Sequence, residues 1–335
     1  MKQSVISAKN LSIGYPKTSN HGSNELYKEL SFNLYEGELT CLLGLNGAGK
    51  STLLRTLSSM QPVLDGNINL NSKPLGAYKE DELSRILGLV LTDKTSVGGL
   101  TVSQLVALGR YPYTGFFGRL TNEDHLIVEK AIEDVGISYK SKSYMAELSD
   151  GERQKAMIAK VLAQECPILL LDEPTAFLDV ASRIEIMNLL HTLASSHKKT
   201  ILLSTHDIEL AFLLSDRLWL LSREKGLKCG VTEDIILNND IETFFGRDGI
   251  SFDKQSGNFI PAQRTKEKVL LNAGKEQFMW AHNFLRRNGF GLTQNESEAI
   301  FKLDISTDNS LKITRNKNTL SLNSFEELLG KIKHI

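Results

Sequence analysis

Gly44-Leu45-Asn46-Gly47-Ala48-Gly49-Lys50-Ser51 fits the pattern G-x-x-x-x-G-K-[ST] at every fixed position. A phosphate cradle needs several backbone N–H groups aimed at one point, and glycines let the chain bend tightly without Cβ atoms in the way. Lys50 offers a point charge for β- and γ-phosphates, and the Ser51 hydroxyl suits Mg²⁺ at the positive end of the next helix. The stretch reads as a nucleotide site.

Other residues carry complementary chemistry. Asp172 and Glu173 close the apolar run Ile168-Leu169-Leu170-Leu171, and ligands of parallel α/β sheets collect at the C-terminal ends of strands. Neighbouring strand residues point to opposite sides, so the two carboxylates are expected to divide the work, one holding Mg²⁺ and the other facing an attacking water. His206 follows a second buried strand and suits a γ-phosphate sensor. Ser149 and Gly151 stand at the N-terminus of a long helix, where free N–H groups favour an anion or simply accept a cap. Tyr15 closes the first strand, with a ring suited to stacking on a base or to packing.

The elements that must position these groups follow from periodicity and turn residues. Strands are expected over residues 5–15, 26–34, 39–43, 67–70, 86–91, 168–171 and 200–204, and helices over 52–57, 101–109, 121–135, 149–164 and 181–193. Residues 17–24 and 92–99 read as polar loops. Residues 110–119, Arg-Tyr-Pro-Tyr-Thr-Gly-Phe-Phe-Gly-Arg, do not look helical. That aromatic stretch either presents a surface to another protein or folds back onto its own subdomain.

The chain has 335 residues, a 41% hydrophobic fraction and a formal net charge of −1, which describes a globular protein of about two domains with no electrostatic bias towards nucleic acid. Cys41, Cys166 and Cys229 are odd in number and widely spaced, which fits neither a disulfide framework nor a zinc site and points to a reducing compartment. The first residues lack a signal-peptide core, and the longest apolar region, 208–221, is broken by Glu209, Asp216 and Arg217. The expectation is a chain that neither crosses a membrane nor leaves the cytoplasm by itself.

Taken together and in this order, the motifs resemble those of ABC transporter ATP-binding subunits over about residues 1–260. By that resemblance residues 44–51 are Walker A, 148–154 (Leu-Ser-Asp-Gly-Glu-Arg-Gln) the signature, 168–173 Walker B, 177–179 the D-loop and His206 the switch histidine. The resemblance implies an α/β fold: a P-loop NTPase core with an antiparallel β subdomain and a helical signature subdomain. Its implied ligands are ATP and Mg²⁺. Tyr15 would stack on adenine; Gly44, Leu45, Asn46, Gly47, Ala48, Gly49, Lys50, Ser51 and Thr52 would bind nucleotide; Ser51 and Asp172 would hold the metal. Glu173 would polarise the attacking water and His206 contact the γ-phosphate. Two copies would pair head to tail, so that Ser149 and Gly151 complete a site whose Lys50 belongs to the other copy; Asp179 of the D-loop would also bind nucleotide.

Within the family, residues 105–112, Leu-Val-Ala-Leu-Gly-Arg-Tyr-Pro, resemble the ATPases of importers for iron-siderophore, haem or cobalamin complexes. That resemblance implies a homodimer working at the inner face of the cell membrane with transmembrane permease subunits and an extracytoplasmic solute-binding protein, and no nucleic acid. A soluble ABC ATPase acting on ribosomes or DNA is the alternative. It lacks support in the single motif set, the near-neutral charge and the want of a coiled-coil insertion. A small-molecule kinase would leave the signature unexplained.

Two departures stand out. The signature has Asp150 and Glu152 where the family usually has Gly and Gln, putting carboxylates near a phosphate site, where they repel unless turned away. The Q-loop glutamine is replaced by Thr92, too short for direct metal contact, so a water held by Thr92 or Asp93 is expected there. The expected division is an ATP-binding domain over 1–261, with its helical subdomain at about 92–165, and a small α/β appendage over 262–335. The appendage either regulates transport or adds dimer or packing surface.

Overall fold

The computed structural model describes residues 3–16, 24–91, 99–115, 117–254, 256–261 and 267–332. Thr92 and Asp93 of the Q-loop expectation lie outside them, as do Phe116 and the stretch 262–266. The chain divides into two compact units, Met1–Gly246 with Phe252–Asn258, and Arg247–Ser251 with Phe259–Ile335.

In the first unit, β1 (Ser4–Tyr15) and β2 (Asn24–Tyr35) pair antiparallel. The chain then runs through β3 (Leu39–Gly44) and α1 (Lys50–Leu57) before β4 (Asp65–Leu70) and β5 (Lys73–Pro74) rejoin the first sheet, whose order is β2-β1-β4-β5. Alternation along these strands turns Leu11, Ile13, Phe32, Leu34 and Leu70 inward, onto Leu53, Leu54 and Leu57 of α1. That packing fixes the helix behind the glycine-rich loop.

Next come α2 (Glu80–Ser84), β6 (Leu87–Val90), α3 (Val102–Ala107), α4 (Asn122–Asp134), α5 (Asp150–Ala163), β7 (Ile168–Asp172), α6 (Val180–Ser195), β8 (Thr200–Thr205), α7 (Ile208–Leu214), β9 (Arg217–Ser222), β10 (Gly226–Val231), α8 (Thr232–Leu237) and α9 (Asp240–Phe245). The second sheet has the order β10-β9-β3-β8-β7-β6 and is parallel except at β10. Every residue of β3, β7 and β8 is buried, which is why these strands are nearly continuous apolar runs rather than alternating ones. Trp219 of β9, fully buried, meets Phe32 of β2 at a ring separation of 4.6 Å and ties the two sheets together.

The helices between β6 and β7 begin where their caps dictate. Thr101 with Gln104, Thr121 with Asp124, and Ser149 with Glu152 each form a reciprocal capping box. The non-helical reading of residues 110–119 holds for Thr114, Gly115 and 117–119 but not for the first four, where the chain winds through a 3₁₀ helix, Leu108–Tyr113, that includes Pro112. The reason is the buried Arg110 guanidinium. Its Nε donates to Asp124 Oδ1 at 2.8 Å, and its Nη1 donates to Ala163 O at 2.8 Å and Glu165 Oε2 at 2.6 Å. Around it, Leu108, Tyr111 and Phe117 stay exposed and Tyr113 partly so, so the aromatic stretch is in large part open to solvent.

A hairpin, β11 (Ile250–Asp253) with β12 (Asn258–Pro261), falls at the division between the units. In the second unit β13 (Glu267–Ala273), α10 (Lys275–Arg287), β14 (Phe290–Leu292), β15 (Ala299–Ile305), β16 (Leu311–Arg315), β17 (Asn318–Leu322) and α11 (Phe325–Ile332) form an α/β layer of order β14-β13-β15-β16-β17. Its own core gathers Val269, Phe284, Leu285, Phe301, Leu303 and Leu328. Strands β14, β16 and β17 were not expected from the sequence. Among the described residues, no helix is long and apolar enough to cross a membrane.

Candidate nucleotide site

Three neighbouring parallel strands, β3, β8 and β7, end at Gly44, Thr205 and Asp172. The residues just beyond these ends converge on one point. The Lys50 Nζ donates to Gly44 O at 2.9 Å and lies 3.2 Å from His206 Nε2 and 3.6 Å from Glu173 Oε1. His206 Nε2 in turn lies 2.6 Å from the same carboxylate oxygen. Burial lowers the pKa of the Lys50 ammonium, while the charges of Glu173 and Asp172 act in the opposite sense. The cluster therefore holds a buried cation, a carboxylate and an imidazole within 3.6 Å of one another.

Asp172 and Glu173 face different partners, but strand alternation is not the cause. Glu173 has left the strand for a left-handed conformation, φ 49°, and its N–H donates to Ser204 O at 3.1 Å and Ser204 Oγ at 2.9 Å. The Ser204 hydroxyl donates onwards to Asp172 Oδ1 at 2.6 Å. One serine of β8 thus fixes both acids. Asp172 is only 5% exposed; its carboxylate and the Ser51 hydroxyl in the first turn of α1 are oxygen donors of the kind that could hold a magnesium ion.

The glycine-rich loop is braced from outside. Gly47 and Gly49 have φ values of 73° and 98°, a region open to glycine at little cost. The Tyr27 hydroxyl donates to Ala48 O, and burial pushes the Tyr27 pKa up to about 12, so it stays a donor. Arg223 Nε and Nη2 both donate to Gly47 O, at 3.1 and 3.0 Å. Leu45 and Asn46 are exposed at the loop tip, and Thr52 is buried in the first turn of α1.

Of the remaining candidates, Ser149 caps α5, its Oγ accepting from Glu152 N at 3.2 Å. Gly151 abuts Ser182, whose hydroxyl a Cβ at Gly151 would approach to 2.9 Å. Ser182 Oγ donates to Asp179 Oδ2 at 2.8 Å, and the Ser182 backbone N–H, followed by that hydroxyl, holds the Asp179 pKa below its usual value. So the signature glycine and the D-loop aspartate share a neighbour at the head of α6. Tyr15 is half exposed at the end of β1, opposite Asn24. A cavity of about 310 Å³ adjoins the cluster, lined by Glu173, Phe177, Arg183, His206 and Asp207 among others.

Tyr27, Arg223 and Ser204 were missed in the sequence. Ser204 left a trace, a polar residue inside the apolar run of β8; Tyr27 and Arg223 left none, because their role depends on meeting the loop across 21 and 176 positions.

Comparison with known proteins agrees with this geometry. The family model "ABC transporter" matches residues 27–176, and "Iron ABC transporter C-terminal domain" matches residues 266–333. An uncharacterised ABC transporter ATP-binding protein of Methanocaldococcus jannaschii is 36% identical over 274 residues, 81% of this chain and 92% of that protein. The ferric enterobactin transport ATP-binding protein FepC of Escherichia coli is 36% identical over 233 residues, 70% and 86% of the two chains. The iron(3+)-hydroxamate import ATP-binding protein FhuC of Bacillus subtilis is 33% identical over 240 residues, 72% and 87%. Among solved structures, an inward-facing conformation of a putative metal-chelate type ABC transporter matches with a TM-score of 0.64 and 27% identity, covering 78% of this chain and 99% of that one. A glycine-rich loop, a carboxylate pair and a histidine at the ends of adjacent parallel strands, in a chain this similar over most of its length, have one reading: the protein belongs to the ATP-binding proteins of ABC transporters.

Proposed function

We propose that this chain is the ATP-hydrolysing subunit of an importer for metal chelates of the iron-siderophore, haem or cobalamin class. The observation that carries the reading is the meeting of Lys50, Glu173 and His206 beside the glycine-rich loop. The named cargo of the relatives, ferric enterobactin and iron(3+)-hydroxamate, supports the substrate class.

In this reading Tyr15 stacks on adenine, the backbone from Gly44 to Thr52 wraps the phosphates, and Lys50 neutralises the β- and γ-oxygens. Ser51 and Asp172 hold Mg²⁺, which supplies further neutralisation of the phosphate oxygens. Glu173 takes a proton from a water whose oxygen attacks the γ-phosphorus; the bond to the bridging oxygen breaks, and ADP and phosphate leave. His206, already hydrogen-bonded to Glu173, orients that carboxylate and contacts the γ-phosphate. Two copies pair head to tail, so that Ser149, Gly151 and Asp179 of one close over the nucleotide of the other. The dimer works at the cytoplasmic face of the membrane with permease subunits and an extracytoplasmic solute-binding protein.

Lys50→Ala tests the core of this. The expected outcome is loss of measurable ATP hydrolysis and weakened ATP binding in the purified protein, because the main cation over the phosphates goes. Unchanged turnover would overturn the assignment of residues 44–51. Co-purification with a hydrophobic multi-span protein tests the transporter role, and its absence from a native membrane preparation would count against it.

A further inference from the structure

Helix α5 opens with two acids, Asp150 and Glu152, in the very turn that carries Ser149 and Gly151. Negative side chains stabilise a helix N-terminus but compete with any anion brought to it. The two are handled differently. Asp150 pairs with Arg153 at 2.8 Å three residues on, with both side chains well exposed (64% and 42%), where screening by solvent makes its charge weak at a distance. Glu152 is the more enclosed, its side chain 19% exposed, and its charge is felt more strongly along the turn.

The contacts of Glu152 turn its carboxylate back into its own subdomain. Oε2 accepts from Ser149 N at 2.9 Å. Oε1 accepts from Tyr139 Oη at 3.1 Å and lies 3.6 Å from Lys140 Nζ. Tyr139 and Lys140 belong to a 3₁₀ turn, Ser138–Lys140, and the residue after it is anchored on α3: Ser141 O accepts from both Ser103 N and Ser103 Oγ at 2.9 Å. The two side chains are therefore delivered from a braced platform.

We propose that Tyr139 and Lys140 are positioning residues for the signature helix, neutralising and turning away the Glu152 carboxylate so that Ser149 and Gly151 meet the partner copy's nucleotide without a competing charge. This rests on the shared-site reading given under Proposed function. It also explains how the signature tolerates an acid where the family usually carries an amide. Glutamine at 152 keeps the oxygen that accepts the Ser149 N–H and needs no counter-charge; glutamate needs Lys140.

The test is steady-state ATPase of the full chain against ATP concentration, for Lys140→Ala, Glu152→Gln and the double variant. Lys140→Ala is expected to raise KM for ATP roughly fivefold with kcat within about twofold, since the lost counter-charge weakens binding of the anion rather than the chemistry. The increase should shrink as salt is raised. The double variant is expected to return KM to within about twofold of wild type, because the charge that required Lys140 is gone; a merely structural role for Lys140 would not be rescued this way. Tyr139→Phe should act as Lys140→Ala does, more weakly. An unchanged KM in Lys140→Ala, or a double variant as impaired as the single, overturns the proposal. Gly151→Asp separates this from the reading beneath it: wild-type turnover there would show that α5 does not close a nucleotide site, and the proposal would fall with that reading. Impaired Gly151→Asp with unaffected Lys140→Ala would sink the positioning role alone.

Discussion

At the scale of single residues, Glu173 is the best example of what sequence does and does not reveal. That an acidic pair would stand at the end of β7 is legible, because four consecutive apolar residues must be buried and the first polar pair must emerge at the strand end. That Glu173 turns into the left-handed region, with its N–H on Ser204, is not legible; nothing in the residue type favours φ 49°. Glu173→Gln keeps the shape but removes the base, so kcat should fall roughly 10²- to 10⁴-fold while ATP still binds; gel filtration with ATP should then show a dimer, and a monomer would count against a shared site. The loop glycines give a second contrast. A Cβ at Gly49 combines φ 98° with an approach of 3.1 Å to the Tyr27 ring, whereas at Gly47 it meets open space at φ 73°. Gly49→Ala should therefore lose more stability than Gly47→Ala, roughly 1–3 kcal/mol for a strained residue of this kind, measured by denaturant unfolding.

At the scale of elements, the caps of α4 and α5 were readable because Thr or Ser and an acid three residues later are local signals; the like cap of α3, Thr101 with Gln104, went unread. The 3₁₀ winding of Leu108–Tyr113 was not, since it depends on Arg110 finding Asp124, Ala163 and Glu165 across the subdomain. This cluster sets an acid-linked stability. The backbone N–H of Thr121, and then the Arg110 guanidinium, hold the Asp124 pKa down to about 2. A depressed carboxylate stabilises the fold above its unfolded pKa of about 4, and that contribution, about 2 kcal/mol, disappears as pH falls from there towards about 2. Asp124→Asn should be less stable than wild type at neutral pH, and the difference should narrow over that window; a difference that stays constant in an acid titration followed by circular dichroism would show that Asp124 is not the group responsible.

At the scale of the whole molecule, the existence of β3, β7 and β8 was legible, because each is an apolar run that ends in a motif; their side-by-side order, β3-β8-β7, has no local signal in the sequence. The smaller strands β14, β16 and β17 were not legible: three to five residues give too short an alternation to read, even though β16 and β17 pair locally as a hairpin, with Arg315 opposite Asn318. Each unit has its own apolar core. A chain ending at Pro261 should therefore remain soluble and hydrolyse ATP within a few-fold of the full chain, whereas insoluble or inactive protein would show that the second unit is needed by the first.

Tyr113, the last residue of the 3₁₀ helix that follows α3, is held by several contacts with a mechanical side. Arg85 and Arg110 both lie over its ring, 5.1 and 4.1 Å from ring centroid to guanidinium carbon, and its hydroxyl donates to Gln164 O at 3.0 Å. Arg85 grips Pro112 O, and the Gln164 amide reaches back to Ser84 O and Leu87 O. Helices α3 to α5 are thus a cantilever rooted in the adjacent strands β6 and β7, with its fixings crowded at the root. A load applied to those helices is expected to fall first on these contacts, which lie next to β6 and β7.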